Sequence, residues 1–152
     1  MADQRPILDQ VNLVTSNMEA SVAFYRRLGL DLPDRSPEWD PHHRSAEVGS
    51  GIDLDLDSVK FAREWDEGWP VSSGVGSGGA GSGCVLGFKL ATRGEVDRVY
   101  ADLTGAGHKG QQPPWDAFWG ARYAVVEDPD GNAVGLMSPI DPAMRWDKPS
   151  PS

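Results

Sequence analysis

The sequence predicts an α+β protein built from two tandem βαβββ modules. Three observations carry that prediction. A strand, a helix and a hairpin follow one another twice along the chain. The two copies are related by nearly constant residue offsets. Helix-capping and turn signals punctuate both copies at corresponding places.

In the first copy, "LDQVNLV" at 8–14 alternates as a strand, with Val11 and Leu13 on one face and Gln10, Asn12 and Val14 on the other. Asn17 or Ser16 is placed to cap a helix through about Leu28, and Ser16 with Glu19 has the spacing of a capping box. Met18, Val22, Tyr25 and Leu28 recur at helical spacing, and Gly29 ends the run. A Pro-rich loop, "LPDRSPEWDPHH", leads into "RSAEVG" and "IDLDLDS", which read as a hairpin around Gly49 and Gly51.

The second copy repeats this order. "CVLGFKLA" is a strand, Thr92 with Glu95 opens a helix through about Thr104, and "HKGQQPP" is a short strand leading into a loop. "ARYAVVE" and "AVGLMS" then form a hairpin around the turn "DPDGN". Adding 75 carries Gln10 to Val85 and Tyr25 to Tyr100; adding 78 carries Arg44 to Arg122; adding 80 carries Asp55 to Gly135. The expected boundaries are 7–57 for the first module, 58–83 for an inter-module segment, 84–139 for the second module and 140–152 for a tail. The first part of the inter-module segment has room for one or two helical turns. Its Gly-rich part, 74–83, reads as a flexible linker or as a lid over a ligand.

Composition narrows the function. The chain has 152 residues and a formal net charge of −9, with an isoelectric point near 4.6. Such a surface repels phosphates, which disfavours nucleic acid and anionic membranes as partners. No apolar run approaches the roughly 20 residues that span a bilayer. The N-terminus lacks the pattern of a signal peptide, and the single cysteine, Cys84, forms no internal disulfide; both suit a cytoplasmic location. Six tryptophans fall mostly outside the periodic core segments, which marks them as candidates for ligand or interface contacts.

"VNLVTSNMEASVAFYRRLGL" in the first module and "VEDPDGNAVGLMSP" in the second resemble the vicinal oxygen chelate superfamily, the group of glyoxalases, bleomycin-resistance proteins and extradiol dioxygenases. The resemblance covers roughly residues 7–139. It implies the glyoxalase/bleomycin-resistance fold, in which the strands form a curved mixed sheet with helices on its convex face and the ligand on its concave one. It also implies a homodimer.

Metal-dependent members hold a divalent ion with four His, Gln or Glu ligands on the concave face. The matching positions here are Gln10, Asp55, Val85 and Gly135. Gln10 and Asp55 are weak candidate ligands, and Val85 and Gly135 offer no donor atom. No metal and no other cofactor is therefore expected. His42, His43 and His108 show no ligand spacing and read as surface or loop histidines.

The resemblance is thus to the metal-free branch, which sequesters antibiotics in a groove between modules. The expected ligand is a small aromatic molecule, an antibiotic or a metabolite, stacked on Trp65, Trp69, Trp115, Phe118 and Trp119. Gln10, Asn12, Arg122, Gly135 and Met137 complete the expected site. Asp53 and Asp55 would answer a cationic group. The rival expectation is an enzyme of the same fold, a lyase, isomerase or dioxygenase with an unorthodox metal or none. A carboxylate pair, Asp53 with Asp55 or Glu47, is its candidate for acid–base work.

Overall fold

Alternation along each strand places one apolar row beneath a helix and one polar or open row away from it, and this sets the structure of both modules. The computed structural model describes residues 5–49, 51–69 and 83–147. The chain divides into two units, Met1–Val75 and Gly76–Ser152. The Gly-rich stretch read as linker or lid lies outside the described residues, apart from Gly83.

In the first unit β1 (Gln10–Thr15) is followed by α1 (Met18–Leu28), β2 (His43–Glu47), β3 (Asp53–Ser58) and α2 (Val59–Trp65). The sheet order is β1-β3-β2, with β1 parallel and β2 antiparallel to β3. Ala46, Leu54 and Leu56 are buried from this sheet, and Val22, Phe24, Tyr25 and Leu28 from α1. Asn17, the first of the two expected caps, closes α1, its side chain accepting the amide of Ala20. The described residues of this module hold three strands rather than four. Its Pro-rich loop carries Pro33, Pro37 and Pro41, which cannot donate to a ladder. Arg44 holds the loop instead, donating to the Pro33 carbonyl at 2.9 Å and pairing with Asp34 and Asp40.

The second unit shows the full module: β4 (Val85–Lys89), α3 (Arg93–Gly105), β5 (Gly110–Asp116), β6 (Arg122–Glu127) and β7 (Ala133–Met137). The sheet order is β4-β7-β6-β5. Thr92 caps α3 through the Glu95 amide, as expected, while the Glu95 carboxylate pairs with Arg98. Ala124, Val126, Val134 and Leu136 are buried, with Val96, Val99 and Leu103 of α3. In the DPDGN turn, Asp128 accepts the amides of Asp130 and Asn132 and the side-chain amide of Asn132.

Strand register refines the repeat. Gln10 lies opposite Asp53, and Val85 opposite Ala133, so the offsets of 75 and 80 hold for β1 and β3. Arg44 lies opposite Leu56, however, and Ala124 opposite Leu136. The β2 offset is therefore 80, not 78. A two-residue slip leaves each side chain on its original face, so alternation alone could not detect it. With the corrected offset, His43 corresponds to Tyr123.

Leu56 is 1% exposed in the first core. Leu56→Ala is expected to destabilise the protein by about 2–5 kcal/mol, read from the urea midpoint. A loss well under 1 kcal/mol would contradict this placement of the core.

Candidate functional site

In the second unit, the face turned away from α3 is read off the register in rows. Trp115, Tyr123, Met137 and Lys89 form one row; Val125, Gly135 and Gly87 form the next. Gly135 is buried, and the cause is a neighbouring side chain. The Tyr123 ring leans diagonally across the strand backbone. A Cβ added at Gly135 would lie 2.9 Å from Tyr123 Oη and 3.2 Å from Cε2. Gly87, one strand over, is exposed and has nothing within 4 Å of an added Cβ. Val85 beside it is 55% exposed.

Tyr123 is one end of a continuous aromatic array. Its ring centroid is 5.3 Å from Trp119, which lies 5.8 Å from Trp115 and 4.9 Å from Phe118. Trp146 closes the group, 6.3 Å from Trp115 and 5.9 Å from Phe118. All these contacts are edge-on or T-shaped, the arrangement favoured by the ring quadrupoles. Trp115 belongs to β5 rather than to the loop expected from Pro113 and Pro114. An edge strand accepts prolines, and the β5–β6 pairing shifts register between Gln112 and Trp115.

The tail is more firmly attached than its composition suggests. Trp146 donates its indole N–H to the Asp116 carbonyl and its backbone N–H to Phe118. Asp141 donates to the Gly120 carbonyl. At Gly120 a Cβ would collide with the Asp141 carbonyl, and φ is +98°, so only glycine fits this approach.

Arg122 falls on the α3 side, opposite Tyr123 and Gly135. It pairs with Asp97 and Asp116, and Arg93 binds both Asp116 and the Gly120 carbonyl. Arg122 therefore anchors the aromatic loop from behind instead of facing its open side.

In the first unit, the face away from α1 carries Gln10, Asn12, Asp53, Asp55 and Asp57, with His43 and Ser45 opposite Asp57 and Asp55. Gln10 and Asp53 are exposed. Asp57 is fully buried and doubly partnered, accepting from Asn12 Nδ2 at 2.8 Å and from His43 Nδ1 at 2.6 Å. Asp55 is also buried, at 8% exposure, yet its Oδ1 has no partner. Of the two adjacent histidines read as surface or loop residues, His42 lies in a turn and His43 begins β2, directly after "DPH". Trp65 ends α2 and lies 6.1 Å from Trp69, apart from the array of the second unit in sequence.

A cleft of about 550 Å³ on the helix side of the first unit is lined by Met18, Val22, Arg26, Asp34, Asp40 and Arg44. Ion pairs among its own lining residues occupy its arginines, so it reads as the seam that holds the Pro-rich loop.

A family model for the Glyoxalase/Bleomycin resistance protein/Dioxygenase superfamily matches residues 7–136. The chain belongs to this superfamily. Solved structures agree on the fold. A glyoxalase/bleomycin resistance protein/dioxygenase from Nocardioides is 27% identical with a TM-score of 0.66, covering 92% of this chain and 87% of its own. A glyoxalase-related enzyme from Fulvimarina pelagi is 22% identical with a TM-score of 0.70, covering 88% of both chains. A lactoylglutathione lyase from Agrobacterium tumefaciens is 19% identical with a TM-score of 0.62, covering 90% and 96%. A search of curated proteins by sequence gives no match. No helix among the described residues is long and apolar enough to cross a membrane.

The superfamily's metal does not fit this donor set. Of Gln10, Asp55, Val85 and Gly135, two carry no ligating atom, and Tyr123 occupies the space beside Gly135. No group of three or more His, Cys, Asp or Glu residues is placed to hold a metal ion among the described residues.

Two outcomes test the array. Gly135→Ala should push the Tyr123 ring off the strand without unfolding the module, seen as shifted Tyr123 ring resonances; unchanged resonances would contradict the close approach. The hydrogen bond from Arg93, and after it that from Arg122, holds the Asp116 carboxyl below its ordinary value. The folded pKa is the depressed one, so this anchor is complete above about pH 4, the unfolded value, and is lost as pH falls through the lower folded value. Tryptophan emission should change in that acid range, and Asp116→Asn should abolish the change.

Proposed function

We propose that the chain binds a small planar aromatic molecule without a metal ion, on the face of the second module where Gly87 lies open next to Gly135 and its Tyr123 cover. The observation that supports this most is the pairing of a filled glycine with an open one. Gly135 is covered by the protein's own phenol ring, whereas Gly87, on the next strand, has only backbone as its floor. A flat ring set on Gly87 would meet the edge of Tyr123, with Val85 and Lys89 on either side along β4. Aromatic contacts of this kind contribute about 0.5–1.5 kcal/mol each beyond area burial. An aromatic antibiotic or metabolite is the class that suits this surface, and sequestration is the activity that needs no further group.

Quenching of tryptophan emission by a panel of planar aromatics, acridine and 8-anilinonaphthalene-1-sulfonate among them, tests this reading. At least one compound should bind saturably. Tyr123→Ala and Trp119→Ala should weaken it about tenfold, equivalent to 1.4 kcal/mol. Gly87→Leu, at an uncrowded position, should block binding while leaving the fold intact. Unchanged affinity in Gly87→Leu would place the ligand elsewhere.

A further inference from the structure

The first module holds a group of side chains that aromatic binding leaves unused. Asp57 is fully buried, and each of its oxygens has a donor: Asn12 Nδ2 on Oδ2 and His43 Nδ1 on Oδ1. A carboxylate can only accept, so the Asp57 contact fixes the hydrogen of His43 on Nδ1. Nε2 is then the lone-pair nitrogen, and among the described residues it has no hydrogen-bond partner. The His43 side chain is 39% exposed. Phe61 of α2 sets its ring 5.5 Å from the imidazole and limits its rotation. One residue pair along the same face, Asp55 Oδ1 is a second acceptor, buried and unpartnered.

Burial of Asp57 by itself explains why the carboxylate has two donors. It does not explain why one donor is a histidine held in a single tautomer with its other nitrogen open. A carboxylate behind Nδ1 and a free Nε2 in front is the arrangement that orients a general base. The neighbouring titratable groups do not compete for it. His42 turns its Nδ1 toward Ser58 Oγ at 3.3 Å, and Arg44 lies on the helix side with Asp34 and Asp40. Lys60 and Glu64 of α2 line a small cleft with Glu38, Trp39, His42 and Phe61, and neither is hydrogen-bonded to His43 among the described residues.

We propose that His43 is a general base, positioned by Asp57 and Asn12, that activates water toward small acyl esters on the open face of the first module. The step balances without an oxidant or a metal. The Nε2 lone pair takes a proton from water as the water oxygen forms its bond to the acyl carbon. The bond from that carbon to the leaving oxygen breaks, and the imidazolium returns the proton to the leaving group or to solvent. Water and ester become acid and alcohol.

Hydrolysis of p-nitrophenyl acetate by the full chain is the test, with His43 tautomer read from its ¹⁵N shifts. The wild type should turn the ester over above the buffer rate, and His43 should carry its hydrogen on Nδ1. General bases contribute roughly 10²–10⁴ to their reactions, and with an unoptimised ester His43→Gln should lower the rate by about tenfold or more. Asp57→Asn should also lower it and release the tautomer, while His42→Gln should leave both unchanged. Circular dichroism checks that His43→Gln, at a half-exposed position, keeps its fold. A rate equal to the buffer background, a His43→Gln rate equal to wild type, or a wild-type hydrogen on Nε2 would each overturn the assignment. None of these outcomes depends on the tryptophan array, so failure here is distinct from failure of aromatic binding.

Discussion

Tyr123 lays its ring over the backbone of Gly135, closer than any side chain on that residue would allow. Much else in the second module follows from this contact. The ring needs a floor without a Cβ, so the strand must carry glycine there despite the cost of glycine in a strand. Once seated, the ring meets Trp119, and the array continues through Trp115 and Phe118 to Trp146. The tail is held by hydrogen bonds to Asp116, Phe118 and Gly120. Arg93 and Arg122 fix Asp116 from the opposite face. A position that the family resemblance matches to a metal ligand is thus covered by a phenol ring.

The repeat sharpens the point. With the register offset of 80, Tyr123 corresponds to His43, Gly135 to Asp55 and Met137 to Asp57. One module fills this patch with an aromatic ring and a thioether. The other fills it with an imidazole and two buried acids. The same backbone therefore presents an aromatic surface in one copy and a histidine–carboxylate surface in the other. Duplication of a module frees each copy to diverge in chemistry while the helix-facing rows, Leu54 and Leu56 or Val134 and Leu136, remain apolar core.

Periodicity made the fold legible. Period-two alternation in "IDLDLDS" and "AVGLMS", the Asn17 and Thr92 caps and the DPDGN turn each act over a few residues, so they can be read directly. The absence of donors at Val85 and Gly135 was equally plain. What fills Gly135 was not, because it depends on the side-chain direction of a residue on a neighbouring strand. The same holds for His43: its hydrogen bond is to Asp57, 14 residues away on a neighbouring strand. Arg122 was assigned to the ligand face because its pairing with Asp97 of α3 joins residues 25 apart and leaves no local signal. Trp115 was read as loop because two prolines precede it, and only edge position in the sheet makes them acceptable. Local signals fixed elements and faces; contacts between elements decided the site.

The central claim is that this donor set has exchanged metal chemistry for side chains of its own. Metal analysis of protein purified without chelators tests it most directly, across nickel, zinc, iron and manganese. The account predicts amounts far below one ion per chain. A near-stoichiometric ion that disappears in Asp55→Ala would contradict it.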